Sequence, residues 1–131
     1  MIGDPVSFPK VKKLVEEHFR EQFFAVDLDE QEVIEGMLDA NRRGHVVCTQ
    51  GGESIAGLAR AVKLGIVAKD RTVVVESTSH QLKFANFQQM YFENSFPPEY
   101  RIEAKPGLVN TPVQLEASAD AIAGFLKLKE K

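Results

Sequence analysis

The chain of 131 residues has a single cysteine, Cys48. It can form no intramolecular disulfide, and nothing in it calls for an oxidising compartment. An excess of one charge sign is also missing. Sixteen Lys and Arg against nineteen Asp and Glu leave a net charge of -3, too mild to draw the chain to nucleic acid or to an anionic membrane. No apolar run approaches the ~20 residues that span a bilayer. Met1-Ile2-Gly3-Asp4-Pro5 has neither the basic nor the apolar stretch of a signal peptide. Internal repeats, low-complexity linkers, GxGxxG and GxxxxGK(S/T) are all absent, which excludes a dinucleotide fingerprint and a P-loop. His18, His45 and His80 stand at no metal-ligand spacing and have no CxxC beside them, so no metal site is expected. The default location for such a chain is cytoplasmic.

What is present is ordinary for a soluble globular protein: 44% hydrophobic and 27% charged residues, enough length for one domain with a core. Helical and strand-like stretches alternate. A helix is predicted from Ser7 or Phe8 to about Gln22, with Pro9 in its first turn and an apolar stripe of Phe8, Val11, Leu14, Val15 and Phe19. Residues 23–26 read as a short strand. Asp29 caps a second helix, with Glu32 completing a capping box, Val33, Ile34, Met37 and Leu38 facing the core, and Gly44 ending it. Residues 45–48 read as a strand, and Gly51-Gly52 as a tight turn into a third helix with Ile55, Leu58, Ala59 and Val62 buried and Gly65 as C-cap. Residues 72–76 form the third strand. A fourth helix is predicted over about 82–93, stopped by Pro97-Pro98. An irregular stretch follows, then a last helix over about 115–129 with Ile122, Phe125 and Leu126 buried.

Strands separated by helices argue for a parallel sheet with helical cover. The expected fold is α/β: a partial three-layer, Rossmann-like parallel sheet with helices on both faces. The chain is read as a single domain, with residues 1–95 as α/β core and 96–131 as a carboxyl-terminal segment and helix. Three or four short strands make a small sheet, so part of it is expected to be missing.

The strongest site candidate is Ser77-Thr78-Ser79-His80, which follows the β-branched run Thr72-Val73-Val74-Val75. Open α/β sheets place ligands at the carboxyl ends of their strands, and hydroxyls there can bond a ligand without adding charge. The same residues are equally suited to cap the helix that follows. Cys48-Thr49-Gln50-Gly51-Gly52 opens a helix and offers backbone N–H groups to an anion, or is simply a turn that needs glycine. Cys48 reads as a small buried hydrophobe, and Lys83 as a solvated or carboxylate-paired lysine. No residue is assigned a catalytic role.

Three blocks in order resemble plant-type threonine synthase, a fold-type II enzyme dependent on pyridoxal phosphate (PLP). Ile2-Gly3-Asp4-Pro5-Val6-Ser7 resembles the family's IGDPVS segment. Residues 44–64, GHVVCTQGGESIAGLARAVKL, are similar to its CPxxGxALAAL-containing stretch. Residues 65–84, GIVAKDRTVVVESTSHQLKF, are similar to its RTVVVSTAHGLKF-containing stretch. The last third matches only in the spacing to a final helix. The resemblance implies the conversion of O-phosphohomoserine and water to L-threonine and phosphate, with PLP as electron sink. It implies that Thr78 bonds the pyridine N1 of PLP, and that Ser77, Cys48 and Thr49 lie close to the cofactor. Cys48-Thr49 replaces the family's Cys-Pro, Ser54-Ile55-Ala56-Gly57-Leu58 its Ala-Leu-Ala-Ala-Leu, and an added Glu76 and Ser79 alter its Ser-Thr-Ala-His motif.

The family's Schiff-base lysine and its glycine-rich phosphate loop have no counterpart in these residues. The expectation is therefore a carboxyl-terminal portion of a larger enzyme, inactive alone and holding PLP weakly or not at all. Its substrate is a small molecule, and it is expected to self-associate through apolar faces left uncovered. Two alternatives remain. One is a portion of cysteate synthase or of another fold-type II PLP enzyme. The other is a stand-alone α/β module binding some other small ligand.

Overall fold

The computed structural model describes residues 5–128. Met1 to Asp4 and residues 129–131 lie outside it, and with them the start of the Ile2–Ser7 block and the predicted end of the last helix. The chain divides into two units, one through Phe84 and one from Ala85 onward.

The first unit is built on two helices. α2, Glu30–Arg42, begins with the capping box the sequence predicts: the Asp29 carboxylate accepts from the Glu32 amide at 2.7 Å, and the Glu32 carboxylate accepts from the Asp29 amide at 3.2 Å. It buries Ile34, Met37, Leu38 and Ala40. α3, Thr49–Lys63, lies against it. The two helices meet backbone to backbone. A Cβ on Gly52 would stand 2.5 Å from the Val33 carbonyl oxygen, and one on Gly36 would stand 2.6 Å from the Gly52 carbonyl oxygen. Gly51 and Gly52 therefore do not form a turn ahead of the helix, as the sequence suggests. They lie inside its first turn, where the close crossing leaves no room for a side chain. Ile55, Leu58 and Val62 are half-buried and Ala59 is exposed. Arg60 pairs with Glu32 across the two helices at 3.3 Å.

Helix ends follow one pattern. At the end of α2, the His45 amide bonds the Ala40 carbonyl and the Gly44 amide bonds the Asn41 carbonyl, with Gly44 at φ 89°. This is a Schellman cap, in which a left-handed residue turns the chain back onto the last carbonyls. α3 ends the same way at Gly65, φ 74°. α1, Phe8–Leu14, continues into a π-helical turn, Val15–Phe19. Its predicted stripe is not buried: Phe8, Val11, Leu14 and Phe19 are exposed, as are Phe23 and Phe24 after it. Val26 and Leu28 approach α3 beside Gly57.

The second unit is smaller. A 3-10 turn, Gln81–Phe84, closes the first unit, and α4, Ala85–Phe92, opens the second, where the sequence suggests one continuous helix. Tyr91 is fully buried, and its hydroxyl accepts from the Lys105 amide at 3.0 Å. Asn94 accepts from the Ala104 amide at 3.0 Å. Phe87 stacks on Phe96, and Phe96 meets Tyr100 edge-on. α5, Ala119–Phe125, is capped by Ser118, which accepts from the Ala121 amide at 3.2 Å. It is shorter than predicted, and Ile122, Phe125 and Leu126 are exposed.

The expected α/β parallel sheet is absent. Among the described residues there is no strand. The segments 23–26, 45–48 and 72–76 carry no assigned secondary structure, since a strand exists only as a member of a ladder. Among the described residues no backbone bond joins any two of these segments, and the nearest to one runs from the Cys48 amide to the Ser79 carbonyl, three residues past 76, at 3.3 Å. Local propensity favours strand here, and the neighbours that would make a sheet are not supplied by the described residues.

Two substitutions test this account. Gly52→Ala should destabilise the chain by about 2–3 kcal/mol despite alanine's better helix propensity, because the added methyl meets backbone atoms that cannot yield. Lys127, which occupies the left-handed cap position of α5 at φ 52°, should gain about 0.5–1 kcal/mol when replaced by glycine. Urea unfolding midpoints measure both.

Candidate functional site

The amino end of α3 brings together most of the residues singled out from sequence. Cys48 is the N-cap of this helix of fifteen residues and is fully buried. Its sulfur lies 3.8 Å from the Thr78 hydroxyl. Ser77 stands over the same first turn, since a Cβ on Gly51 would lie 3.3 Å from its Oγ. Thr49, by contrast, turns away and donates to its neighbour Gln50 at 3.1 Å. Cys48, Thr78 and Ser77 thus share one location, and Thr49 does not join them.

The sequence left open whether residues 77–80 cap the following helix or face a ligand. The structure separates the two roles by residue. His80 does the capping: its Nδ1 accepts from the Leu82 amide at 3.2 Å. Ser77 and Thr78 lean toward α3 instead. The Ser79 hydroxyl oxygen is buried and has no hydrogen-bond partner among the described residues, an uncommon condition for a buried polar atom.

Asn41 has no role in the sequence reading and a central one here. From the last turn of α2, its carbonyl oxygen accepts from the Val47 amide at 2.9 Å, and its amide nitrogen donates to Gln81 at 2.9 Å. One side chain therefore holds both segments that carry the site. Its signal in the sequence is faint: an asparagine two residues before the C-cap.

The electrostatics centre on Cys48. Burial is the largest single influence on its thiol and pushes the pKa up. Against it act the backbone N–H of Gly51, the Thr78 hydroxyl, and the backbone N–H groups of Gln50 and Ser79. Together they prevail, and the pKa lies below the ordinary thiol value. The sulfur makes no cap hydrogen bond of regular geometry, so these amides act on it as oriented dipoles at a helix start. A furrow of about 320 Å³ between α2 and α3, with Glu32, Asp39, Arg60 and Lys63 along it, contains none of these residues. Among the described residues no three His, Cys, Asp or Glu side chains cluster in a way that could hold a metal ion, and no helix is long and apolar enough to cross a membrane.

A depressed thiol pKa stabilises the fold above the pKa of the unfolded chain, and that contribution fades as pH falls through the folded value. The unsubstituted chain should therefore gain stability relative to Cys48→Ala as pH rises into the ordinary thiol range, measured as the difference of urea midpoints. Thr78→Val should move the thiol titration upward, followed by thiolate absorbance.

No family model matches the chain. It is similar to threonine synthase 2, chloroplastic, of Arabidopsis thaliana, with 29% identity over 127 residues. The match takes in 96% of this chain and 23% of that protein, so the chain spans about a quarter of the length of the curated relative.

Proposed function

We propose that the chain supplies the ring-facing portion of a PLP-dependent lyase of the threonine synthase type, one that converts O-phosphohomoserine and water to L-threonine and phosphate. The observation that carries the reading is the meeting of Cys48, Ser77 and Thr78 at the start of α3, in the two blocks that resemble that family.

The hydroxyls fit one part of the cofactor. Thr78 has only a long contact to sulfur, and Ser79 Oγ has no partner among the described residues. Thr78, which is exposed, suits the uncharged edge of a pyridine ring, where a neutral hydroxyl leaves the ring nitrogen largely unprotonated, whereas the Ser79 oxygen is buried. The rest of the cofactor finds no such fit. No lysine or arginine stands among Cys48, Thr49, Ser77, Thr78 and Ser79 to meet a phosphate or carry an aldehyde. When bound, the cofactor supplies the electron sink. The chain's own part is to orient the ring edge through Thr78, with Asn41 and Cys48 fixing the segments on which that hydroxyl sits.

The test is a chimera in which this chain replaces the matching 127-residue stretch of the Arabidopsis enzyme. It should take up PLP, seen as visible absorbance that survives dialysis, and form threonine. Thr78→Val in the chimera should lower turnover about 100-fold, the usual loss for one preorganised polar contact. A folded chimera that holds no PLP overturns the reading. The chain by itself should retain no PLP on dialysis, and retention would show that the phosphate and aldehyde sites need no further residues.

A further inference from the structure

We propose that Gln81 is a positioning residue: through the Asn41 side chain it holds Thr78 against the start of α3. Its bearing on the cofactor rests on the function proposed above, whereas its hold on Thr78 does not.

One planar amide touches both segments of the site. Asn41 stands in the last turn of α2. The Val47 amide can only donate, so it takes the Asn41 carbonyl oxygen, at 2.9 Å. The Asn41 amide nitrogen is thereby turned to the other side, where it needs an acceptor, and Gln81 presents its Oε1 there at 2.9 Å. Both bonds leave the same rigid group, so they fix the Val47 amide and the Gln81 side chain relative to each other. Val47 is the residue before Cys48, and Gln81 is the third residue after Thr78. Gln81 is itself braced. It opens the 3-10 turn Gln81–Phe84, in which the Lys83 amide bonds the His80 carbonyl at 3.2 Å and the Leu82 amide bonds His80 Nδ1 at 3.2 Å. A shift of the Gln81 side chain is therefore passed to the short backbone that leads back to Thr78.

Bond lengths favour the amide over the direct contacts. Cys48 meets the Thr78 segment itself in two places, from its amide to the Ser79 carbonyl at 3.3 Å and from its sulfur to the Thr78 hydroxyl at 3.8 Å. The first is long for an N–H···O bond, and sulfur is a weak partner. The two Asn41 bonds have the usual length of a good hydrogen bond. Both are partly buried, where water competes less with them. Position 81 is matched to Asn41 by chemistry: glutamine has both the length and the acceptor, and an apolar side chain of equal length has no acceptor. The thiol reports the arrangement. The Thr78 hydroxyl and the Ser79 backbone N–H both lower the Cys48 pKa, and both lie on the segment that Gln81 holds.

The experiment is the Cys48 titration of the full chain, followed by thiolate absorbance, a readout that a loss of stability alone does not move. Gln81→Met keeps the length and removes the acceptor. It should move the titration upward with the helical circular dichroism unchanged, and adding Thr78→Val should move it no further. Gln81→Ser is too short to reach Asn41 and is at home in a turn. It should act as Gln81→Met does, and it takes that variant's place if Gln81→Met does not fold. In the chimera described above, Gln81→Met should lower kcat about 10-fold, the scale of loss when a contact is misplaced. On a Thr78→Val background it should cost no more than about 2-fold, because the contact it positions is already gone. A folded Gln81→Met chain with an unmoved titration, a shift that simply adds to that of Thr78→Val, or an undiminished loss of kcat on the Thr78→Val background each overturns the proposal. A chimera that holds no PLP, beside a titration that moves as expected, overturns the function proposed above and leaves the hold of Gln81 on Thr78 standing.

Discussion

The approach of α2 to α3 at Gly36 and Gly52 is the constraint on which the rest of the first unit depends. With side chains removed at the crossing, the helix backbones touch, and the larger residues on either side, Met37 and Ile34, close over the contact. The amino end of α3 is thereby placed beside the carboxyl end of α2. Cys48 caps the first and Asn41 belongs to the second, so the same crossing that makes the core also gathers the candidate site. Dispersion between backbones this close is short-ranged and intolerant of added volume. The site inherits that intolerance, because the glycine that permits the crossing lies four residues from the thiol.

At the site itself, two opposing effects act on one sulfur. Burial favours the neutral thiol, whereas the helix start, the neighbouring amides and the Thr78 hydroxyl favour the charged form. The second set prevails, so the Cys48 thiol is more acidic than an ordinary one. The Ser79 hydroxyl oxygen, buried and without a partner among the described residues, carries a desolvation cost of about 1–3 kcal/mol. These are properties of the chain's own residues.

Local rules were legible in the sequence and non-local ones were not. The capping box of Asp29 and Glu32 and the glycine caps at Gly44 and Gly65 involve residues a few positions apart, and the structure has them as read. The buried face of α2 follows from a repeat of three and four residues and holds as well. The sheet fails because a β-branched run dictates only an extended backbone, and pairing needs neighbours distant in sequence. The faces of α1 and α5 fail for the same reason: the apolar stripes are real, but no described element covers them. The left-handed caps at Asn94 and Lys127 carry no glycine to announce them. At the candidate site, Ser77 and Thr78 were singled out as hydroxyls after a β-branched run, Cys48 as the start of a helix, and the resemblance of whole blocks supplied their expected cofactor roles. Thr49, from the same block, bonds Gln50 rather than the other three, and Asn41 was missed because its two bonds span six and forty residues.

Asn41 also bears on the kinetics of the molecule. Helix ends fray on short timescales, and a cap normally frays without consequence for anything beyond it. Here the last turn of α2 is tied to the Val47 amide and to Gln81 by one side chain. When that turn opens, the segment bearing Cys48 and the segment bearing Thr78 lose their common anchor in the same event. The lifetime of the assembled site is therefore bounded by the opening rate of a single helical turn.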